Sequence, residues 1–564
     1  MCPTSPMVAF TEEVPMSQTT APRSDPPPAA EDEDSGRLVN ASSTRLIAIL
    51  VTLVLFSEIV PFQYTMAGII IPKIGQAFPA SGNSTSWSLT IIGVVGAATV
   101  ALAGKAADLF GKKKTLLVIS LFFLAGTLVC ALTSDWAVFL AGRGLQALSL
   151  GVPAIVYGVI RDLMPRRWIP VSVAIAGTGF GISALVAPII GGALADNYSW
   201  RSIFWFLLIY TAVTIPLLFL VVPESPFRVR QRFDWLGSVL FGAGLAAVLI
   251  YLSEGASWGW GDIGCLAYLI GGLLALAAFV LWENHTTDPM MELSLLRAPK
   301  VSIVMALAVF ATILVSLPNF LIPYMFETPK SSALEHEIIA QTAAQAHYPA
   351  AIVARFVHFQ GDLSYAAGFS VFQLAWHIVI FMSLAAMIFA PVGGLIARRV
   401  GARLPMIIGT ISLLVAFVLW WQFHVTWQEQ ATIGILWGLG FGFYYASSPN
   451  LLIDAVPADR QGISAGMLAA FGGLGSALAT ALVTPILTSH PFQLVATPPG
   501  GKPIVHDIPQ VYTNAAYSQA YLLIGVTAGV ISVALALALR SGRTPARGGA
   551  AEQAQVPAAA VVEA

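Results

Sequence analysis

Fourteen apolar runs, each 17 to 28 residues long, constrain the fold of this chain more than any other feature of its sequence. A helix of about 17 to 25 apolar residues crosses about 30 Å of hydrocarbon, so each run is long enough to span a membrane. The runs are 46–72, 87–103, 115–133, 136–160, 169–193, 203–222, 235–253, 261–282, 301–325, 367–394, 405–423, 431–453, 462–487 and 518–539. Only 10% of the 564 residues are charged, against about 25% in soluble globular proteins. The sequence therefore predicts an all-α polytopic membrane protein with 14 transmembrane helices.

The distribution of Lys and Arg predicts the orientation of these helices, because basic residues in short loops stay on the cytoplasmic side. With the N-terminus inside, 22 of the 28 Lys and Arg are cytoplasmic, five are external, and Arg143 lies within a run. We therefore predict a multi-pass protein of the cell membrane, plasma or inner, with both termini cytoplasmic. Residues 1–44 and 541–564 lack a periodic apolar pattern and are predicted to be disordered cytoplasmic tails.

Two loops repeat one pattern and divide the chain into halves. Residues 104–114 read GKAADLFGKKK and residues 394–403 read GLIARRVGAR; each has two Gly seven residues apart, and the offset is 290 residues. Duplicated halves are common in secondary transporters. We predict six-helix bundles at 45–222 and 301–540, joined by a linker at 223–300 that holds two extra transmembrane helices.

The second bundle contains a long external insertion at 326–366. Its sequence SALEHEIIAQTAAQ places apolar residues at helical spacing, which predicts a short amphipathic cap. Three histidines recur at an interval of eleven residues in this insertion: His336, His347 and His358. No Cys or close His pair accompanies them, so the pattern favours a solvated cap over a metal site.

Several motifs follow one another in an order that is typical of a known family. Residues 104–114 resemble its loop signature G-x-L-A-D-R-x-G-R-K, and Arg143 with Gln146 resembles its fourth-helix signature, in which a buried Arg precedes Gln by three. Residues 187–192, APIIGG, resemble its antiporter signature G-P-x-x-G-G. Three further segments, WRSIF at 200–204, FDWLG at 233–237 and the Glu283 to Pro289 stretch, are similar to W-R-x-I-F, F-D-x-x-G and E-x(n)-P of one branch. The chain thus resembles the major facilitator superfamily, in its fourteen-helix drug:proton antiporter branch.

This resemblance implies the major facilitator fold, two six-helix bundles plus an inserted two-helix hairpin, and a gate in the loop after the second helix. The implied gate residues are Gly104, Asp108, Gly111 and Lys112. Asp108 would meet a helix end or the neighbouring basic cluster in one state and release it in the other. A static turn with solvated charges is the alternative.

The fifth helix carries the antiporter motif, with Pro188, Gly191 and Gly192. A proline inside a helix removes a backbone hydrogen bond, and glycines let helices pack backbone to backbone. We expect a seam that bends or slides during transport, with ordinary membrane packing as the alternative.

Two ionisable residues inside the runs, Glu58 and Arg143, are candidates for proton coupling. At 1.5 Å per residue, Glu58 lies roughly 18 Å from the cytoplasmic end of the first helix and Arg143 about 10 Å from the external end of the fourth. In a core about 30 Å thick the two lie at nearly the same height and could pair. A fixed structural ion pair is the alternative. The family's first-helix signature places Gln63 where its membrane Asp stands, and Gln cannot titrate.

Aromatic and polar residues in the tenth and twelfth runs are candidates for a substrate cavity. They are Gln373, Trp376, His377, Tyr444, Tyr445 and Asn450. Aromatic rings with a few polar groups suit an apolar, adaptable substrate.

These features predict a secondary active transporter that exports amphiphilic drugs or hydrophobic small molecules by alternating access, in exchange for protons. The chain has no G-x-x-x-x-G-K-[S/T] phosphate loop, which disfavours an ATP-driven pump, and its net charge of −1 gives no footprint for nucleic acid. We expect a functional monomer in the lipid bilayer that needs no cofactor and is not an enzyme. Export of an endogenous lipid or metabolite, and a membrane-embedded lipid-modifying enzyme, are the alternatives.

Overall fold

The computed structural model describes residues 37–165, 168–226, 232–456, 461–497 and 502–542. Most of the two predicted tails, at 1–36 and 543–564, lies outside these residues. The first half, residues 45–222, contains α1 (Ser43–Ser57), α2 (Ile59–Gly68), α3 (Ile71–Ala77), α4 (Trp87–Phe110), α5 (Lys112–Leu132), α6 (Trp136–Ala147), α7 (Val152–Leu163), α8 (Ile169–Asn197) and α9 (Arg201–Val221). The inserted hairpin consists of α10 (Trp235–Trp258) and α11 (Ile263–His285).

The second half, residues 301–540, begins with α12 (Pro299–Glu327), α13 (Ser331–Ala346) and α14 (Ala350–Val353). It continues with α15 (Val371–Leu374), α16 (Ile380–Val400), α17 (Arg403–Gln422), α18 (Trp427–Ala455), α19 (Gln461–Thr488), α20 (Asn514–Ala520) and α21 (Thr527–Ala538). One π-helical segment joins α15 to α16 and another joins α20 to α21.

All 14 apolar runs lie in helices or in broken pairs of helices. Among the described residues, 11 helical segments are long and apolar enough to cross a membrane, or 12 if one bent pair counts as a single span. The predicted helical membrane fold is therefore confirmed, whereas the count of 14 stays a prediction.

The first membrane helix is broken at Glu58. Pro61 lies one turn into α2, and it has no N–H to donate to the carbonyl of Ser57. Glu58 therefore occupies the junction as the last cap of α1 and the first cap of α2.

The inserted hairpin packs along the line where the two halves meet, because α10 contacts both α4 and α19. Asp234 caps the start of α10 by accepting a hydrogen bond from the N–H of Gly237 at 2.8 Å, and it also accepts one from the indole of Trp282 at 2.7 Å. Lys105 of α4 donates to the carbonyl oxygen of Asp288 at 2.6 Å. The base of the hairpin is thus tied to the helix that precedes the predicted gate loop.

A three-stranded antiparallel sheet covers one end of the second half and was not predicted from the sequence. Its strands are β1 (Val357–Gln360), β2 (Pro491–Ala496) and β3 (Ile504–Tyr512), in the order β1-β2-β3. Within the 326–366 insertion α13 forms as predicted, but the same insertion also supplies β1, which pairs Phe359 with Leu494. The Tyr365 hydroxyl donates to the carbonyl of Tyr512 at 2.5 Å and fixes the sheet to the loop before α15.

We call the membrane end that carries this sheet the sheet side and the end that carries Lys112 the basic side. Buried apolar side chains form two large clusters, one almost entirely from residues 46–222 and one mostly from residues 245–539. Each cluster packs a half around its own core. The predicted domain boundaries at 222 and 300 stay predictions.

Candidate functional site

Glu58 is buried at the break in the first membrane helix, with 5% of its surface exposed. The hydroxyl of Ser183 in α8 donates to one carboxylate oxygen, while the other oxygen has no hydrogen-bond partner among the residues that the structure describes. Gly179, one turn earlier on α8, leaves the space that this carboxylate fills. The close approach of α8 therefore depends on a glycine opposite the acid.

Arg143 in α6 is completely buried and belongs to a polar network. Its Nε donates to the carbonyl of Ser88 at 2.9 Å, and one terminal nitrogen donates to the Gln146 side chain at 2.7 Å. Gln146 in turn donates to Thr127 at 2.8 Å. Gln63 joins the same region, because its amide donates to the hydroxyl of Ser149 at 2.7 Å.

The predicted pair of Glu58 and Arg143 is not formed in this structure. Among the described residues no salt bridge includes either side chain, and their hydrogen-bond partners differ. The depths were estimated from the sequence, but the direction of each side chain around its helix was not. In this structure the acid contacts α8, whereas Arg143 contacts the start of α4.

The predicted gate loop turns at Gly111, whose φ of +108° is readily adopted only by glycine. Lys112 lies 2.7 Å from the carboxylate of Asp162 at the end of α7 and 3.3 Å from that of Asp108. Glu224 accepts hydrogen bonds from the N–H groups of Lys113 and Lys114 and so caps α5. The described loop contacts are therefore made with the first half and with Glu224, which follows α9.

The Asp108 side chain at the end of α4 is 42% exposed and pairs with Lys112 at the start of α5. A lock across the basic side would need a partner from the second half. Within the described ranges of the chain the only ion pair of Asp108 is with Lys112, and its role as a gate stays a prediction. Gly104 has open space where a side chain would be, so no close packing requires it here.

On the sheet side, Asp196 at the end of α8 joins the two halves. Its carboxylate accepts hydrogen bonds from the N–H groups of Val371 and Phe372 at 3.2 and 2.7 Å, at the start of α15. Lys73 donates to the same carboxylate at 2.9 Å. Asp196 is not among the predicted site residues, although an acid at the end of one span and a helix start in the other half are both recognisable in the sequence.

The antiporter motif lies directly beside this contact. A side chain on Gly192 would meet the backbone of Phe372, with a Cβ 2.7 Å from its Cα, and one on Gly191 would be 3.1 Å from Ile69. Pro188 lies within α8 without ending it. Gly192 therefore lets α8 and α15 touch backbone to backbone, as the small-residue motif predicts.

A second seam joins α4 to α19. Thr90 and Thr480 share a hydrogen bond of 2.5 Å near the sheet side, and a Cβ on Gly93 would lie 2.8 Å from the carbonyl oxygen of Gly473. Since Thr90 is near the sheet end of α4, the two seams close the sheet side of the bundle.

The six cavity candidates separate into two groups. Tyr444 donates to or accepts from Thr312 at 3.2 Å, and its ring contacts that of Tyr445. His377 packs on Trp427 with 4.9 Å between ring centroids, and Trp427 starts α18. Tyr444 lies 17 residues further along α18, which is roughly 26 Å at 1.5 Å per residue.

The other three cavity candidates, Gln373, Trp376 and Asn450, make local contacts. Gln373 completes the capping box at the start of α15, and Trp376 stacks on Phe372. The amide of Asn450 bonds back to the carbonyl of Ala446 in its own helix. Tyr444 and Tyr445 thus lie further from the start of α18 than the Trp427 contact of His377, and a role of the six residues in substrate binding stays a prediction.

A repeated pattern at the basic side was missed in the sequence. Asp162-Leu-Met-Pro and Asp454-Ala-Val-Pro end the corresponding helices α7 and α18, at an offset of 292 residues. Asp162 binds Lys112, and Asp454 accepts from the N–H of Gly542 at 2.5 Å. The D-x-x-P spacing, close to the 290-residue offset of the glycine loops, was the signal that could have found them.

Comparison with known proteins assigns the chain to a family. The Major Facilitator Superfamily model matches residues 53–344 and 304–562. The chain is 24% identical over 436 residues to the multidrug resistance protein Stp of Mycobacterium tuberculosis, covering 75% of this chain and 72% of that protein. It is 25% identical over 439 residues to the tetracenomycin C resistance and export protein of Streptomyces glaucescens, covering 76% of this chain and 74% of that protein.

Solved structures show the same fold. A peptide transporter of the POT type in complex with sulfate matches with a TM-score of 0.57 at 15% identity, over 87% of this chain and 93% of that chain. A D-xylose-proton symporter matches with a TM-score of 0.55 at 14% identity, over 89% and 99%. The family model, the fold and the motif order agree: this chain belongs to the major facilitator superfamily.

Proposed function

We propose that this protein exports amphiphilic small molecules across the cell membrane by alternating access, driven by proton entry. Its superfamily consists of transporters and not of enzymes. Relatives over three quarters of the chain are drug resistance and export proteins, which supports an exported, drug-like substrate. The observation that carries the coupling is Glu58, a buried carboxylate with one unpartnered oxygen at a helix break.

The position of Glu58 suggests how a proton would move the helices. An ionised carboxylate accepts the Ser183 hydrogen bond, whereas a protonated one can also donate, so the contact with α8 depends on the charge of Glu58. The same helix ends at Gly192 and Asp196 on the sheet-side seam. A change at Glu58 is thereby transmitted along one rigid helix to the contact that closes the sheet side.

The orientation and the oligomeric state are also part of the proposal. Basic loops predict that the sheet side is external and the basic side cytoplasmic. In that orientation the present state is closed to the outside. We propose a functional monomer, because substrate and proton sites of this fold lie within one chain.

Transport by everted membrane vesicles tests this function. The cytoplasmic face of such vesicles is outward, so at least one dye from a panel of anionic, neutral and cationic amphiphiles should accumulate inside when the lumen is acidified, and nigericin should release it by collapsing the gradient. Vesicles without the protein are the control. Accumulation that does not depend on the pH gradient would contradict proton coupling. If no amphiphilic dye accumulates, the proposal of drug export is wrong.

Asp196→Asn is expected to shift the protein toward the state open on the sheet side. Asn keeps the size of the side chain but loses the charge that strengthens two hydrogen bonds across the seam, about 1–2 kcal/mol, or roughly five- to thirtyfold in the equilibrium. A cysteine placed at Ser86, which bonds Thr484 in the other seam, reports sheet-side opening by maleimide labelling. Cys2, Cys130 and Cys265 are first replaced by alanine.

Asp262→Asn is the matched control, because Asp262 also caps a helix, α11, but joins no two halves. Its labelling at position 86 should equal that of the parent protein. Equal labelling of the Asp196→Asn variant and its parent would show that this carboxylate does not hold the seam.

Asp108→Asn is expected to act in the opposite direction. If Asp108 closes the basic side in the other state, the neutral amide weakens that state, so labelling at position 86 should fall and turnover should slow about tenfold. The fold should be unaffected, because the side chain is 42% exposed. Parental turnover with unchanged labelling would contradict a gate at Asp108.

A further inference from the structure

Arg143 is a buried cation with an unused hydrogen-bonding nitrogen. None of its surface is exposed, its Nε and one terminal nitrogen bond Ser88 and Gln146, and the second terminal nitrogen has no partner. Both of its bonded partners are neutral oxygens. A guanidinium in this environment remains charged, and a buried charge without a counter-ion is costly.

The described part of the chain offers no carboxylate to neutralise it. The four ion pairs found there involve Lys73, Lys112 and Arg161, and none includes Arg143. Glu58 binds Ser183 instead, and Gln63, which is neutral, joins the polar network through Ser149. The counter-charge of Arg143 therefore does not come from the side chains that surround it in this state.

Two more buried polar atoms near Arg143 lack partners. They are the hydroxyl of Ser88, whose carbonyl accepts from Arg143, and the side-chain oxygen of Gln63. The Phe204 ring lies 5.8 Å from the guanidinium carbon, which adds an aromatic wall. Tyr64, next to Gln63 in sequence, is hydrogen-bonded to Ser476 of α19 and so leads from this region to the interface between the halves.

We propose that Arg143 binds an acid group, a carboxylate or sulfonate, on the transported molecule, so that the substrates are amphiphilic anions. The free terminal nitrogen and the Ser88 hydroxyl are donors for its oxygens, and Phe204 and Tyr64 contact its apolar part. The inference rests on the proposed function, since it names the substrate class of that transporter. It adds that the substrate supplies the negative charge which the chain lacks beside Arg143.

A pair of probes that differ only in charge tests this. Dansyl-phenylalanine carries an ionised carboxylate at pH 7.5, and dansyl-phenylalaninamide is its neutral counterpart. Binding to the purified full chain in detergent is followed by dansyl fluorescence, without any gradient. The protein should bind the acid at least about tenfold more tightly than the amide, because a desolvated charge pair is worth well over a factor of ten.

Arg143→Gln should remove this preference, lowering affinity for the acid about tenfold or more and for the amide by less than about threefold. Arg143→Lys should keep part of it. Arg201→Gln is the matched control: Arg201 also lies near the sheet side, but it binds the carbonyl of Thr133 and covers the ring of Trp200. Its preference should equal that of the parent.

Equal affinity of the parent protein for both probes, or no measurable binding of the acid, overturns the inference whether or not the Arg143→Gln variant folds. An equal loss of affinity for both probes in a folded Arg143→Gln variant would contradict the inference, because Arg143 would then only stabilise the buried polar network with Ser88 and Gln146. Selective binding of the acid without proton-driven export in vesicles would support this inference and contradict the proposed proton coupling. Failure of the inference and failure of the proposed function are therefore distinguishable.

Discussion

Glu58→Gln is expected to abolish export against a gradient while the variant reaches the membrane in parental amounts. The substitution keeps the shape of the side chain and its contact with Ser183, but it removes the titratable group. A transporter that cannot bind and release a proton loses the coupling of export to the proton gradient, but it keeps the route by which substrate crosses the membrane. Uphill export should fall at least about a hundredfold, whereas exchange of labelled for unlabelled substrate in the absence of a gradient should persist, because alternating access itself needs no net proton movement.

Both activities can be measured in the same proteoliposomes. Glu254→Gln is the control: Glu254 is a carboxylate of α10 that accepts from Ser84, away from the helix break. It should retain both activities. Gradient-driven export by the Glu58→Gln variant at the parental rate would exclude Glu58 as the coupling residue and direct attention to Asp196 or Asp454.

Gly192→Val is expected to prevent closure of the sheet side and so to stop turnover. A Cβ at this position would stand 2.7 Å from the Cα of Phe372 and 2.8 Å from its nitrogen, and backbone atoms cannot move aside as a flexible side chain could. The branched methyls of Val add to the overlap. The state described here should then be depleted, while the state with α8 and α15 apart remains accessible. Transport should fall to background, with the protein still inserted and folded.

The cysteine at position 86 separates this outcome from general damage, because its labelling should rise in the Gly192→Val variant and fall in an unfolded or absent protein. Gly271→Val is the matched control, since no atom lies within 4 Å of a Cβ at Gly271 in α11. It should transport and label as the parent does. Parental transport by Gly192→Val would mean that the seam does not close as tightly during the cycle as it does here.

The local parts of the fold could be predicted from the sequence. Each apolar run became a helix or a broken pair of helices, because an apolar segment of this length satisfies its backbone only within itself. The glycine at 111 adopted the positive φ that the loop signature implies, and Pro61 marked the break in the first helix. Family membership followed from motif order and was confirmed.

Contacts between distant segments could not be predicted in this way. Counting residues along each helix places Glu58 and Arg143 at the same depth in the membrane. In the structure, however, Glu58 contacts Ser183 of α8 and Arg143 contacts Ser88 of α4. The sheet joins β1 to strands more than 130 residues further along, each too short to be recognised alone.

The sequence by itself determined which segments cross the membrane and which family they form, since hydrophobic transfer depends on the composition of each run. Only the tertiary structure decided that Asp196 caps a helix of the other half and that no ion pair among the described residues includes Arg143. The physical reason is that a hydrogen bond or ion pair requires two groups within about 3 Å in a fixed orientation. That geometry is set by the packing and rotation of whole helices and not by the spacing of residues along any one of them.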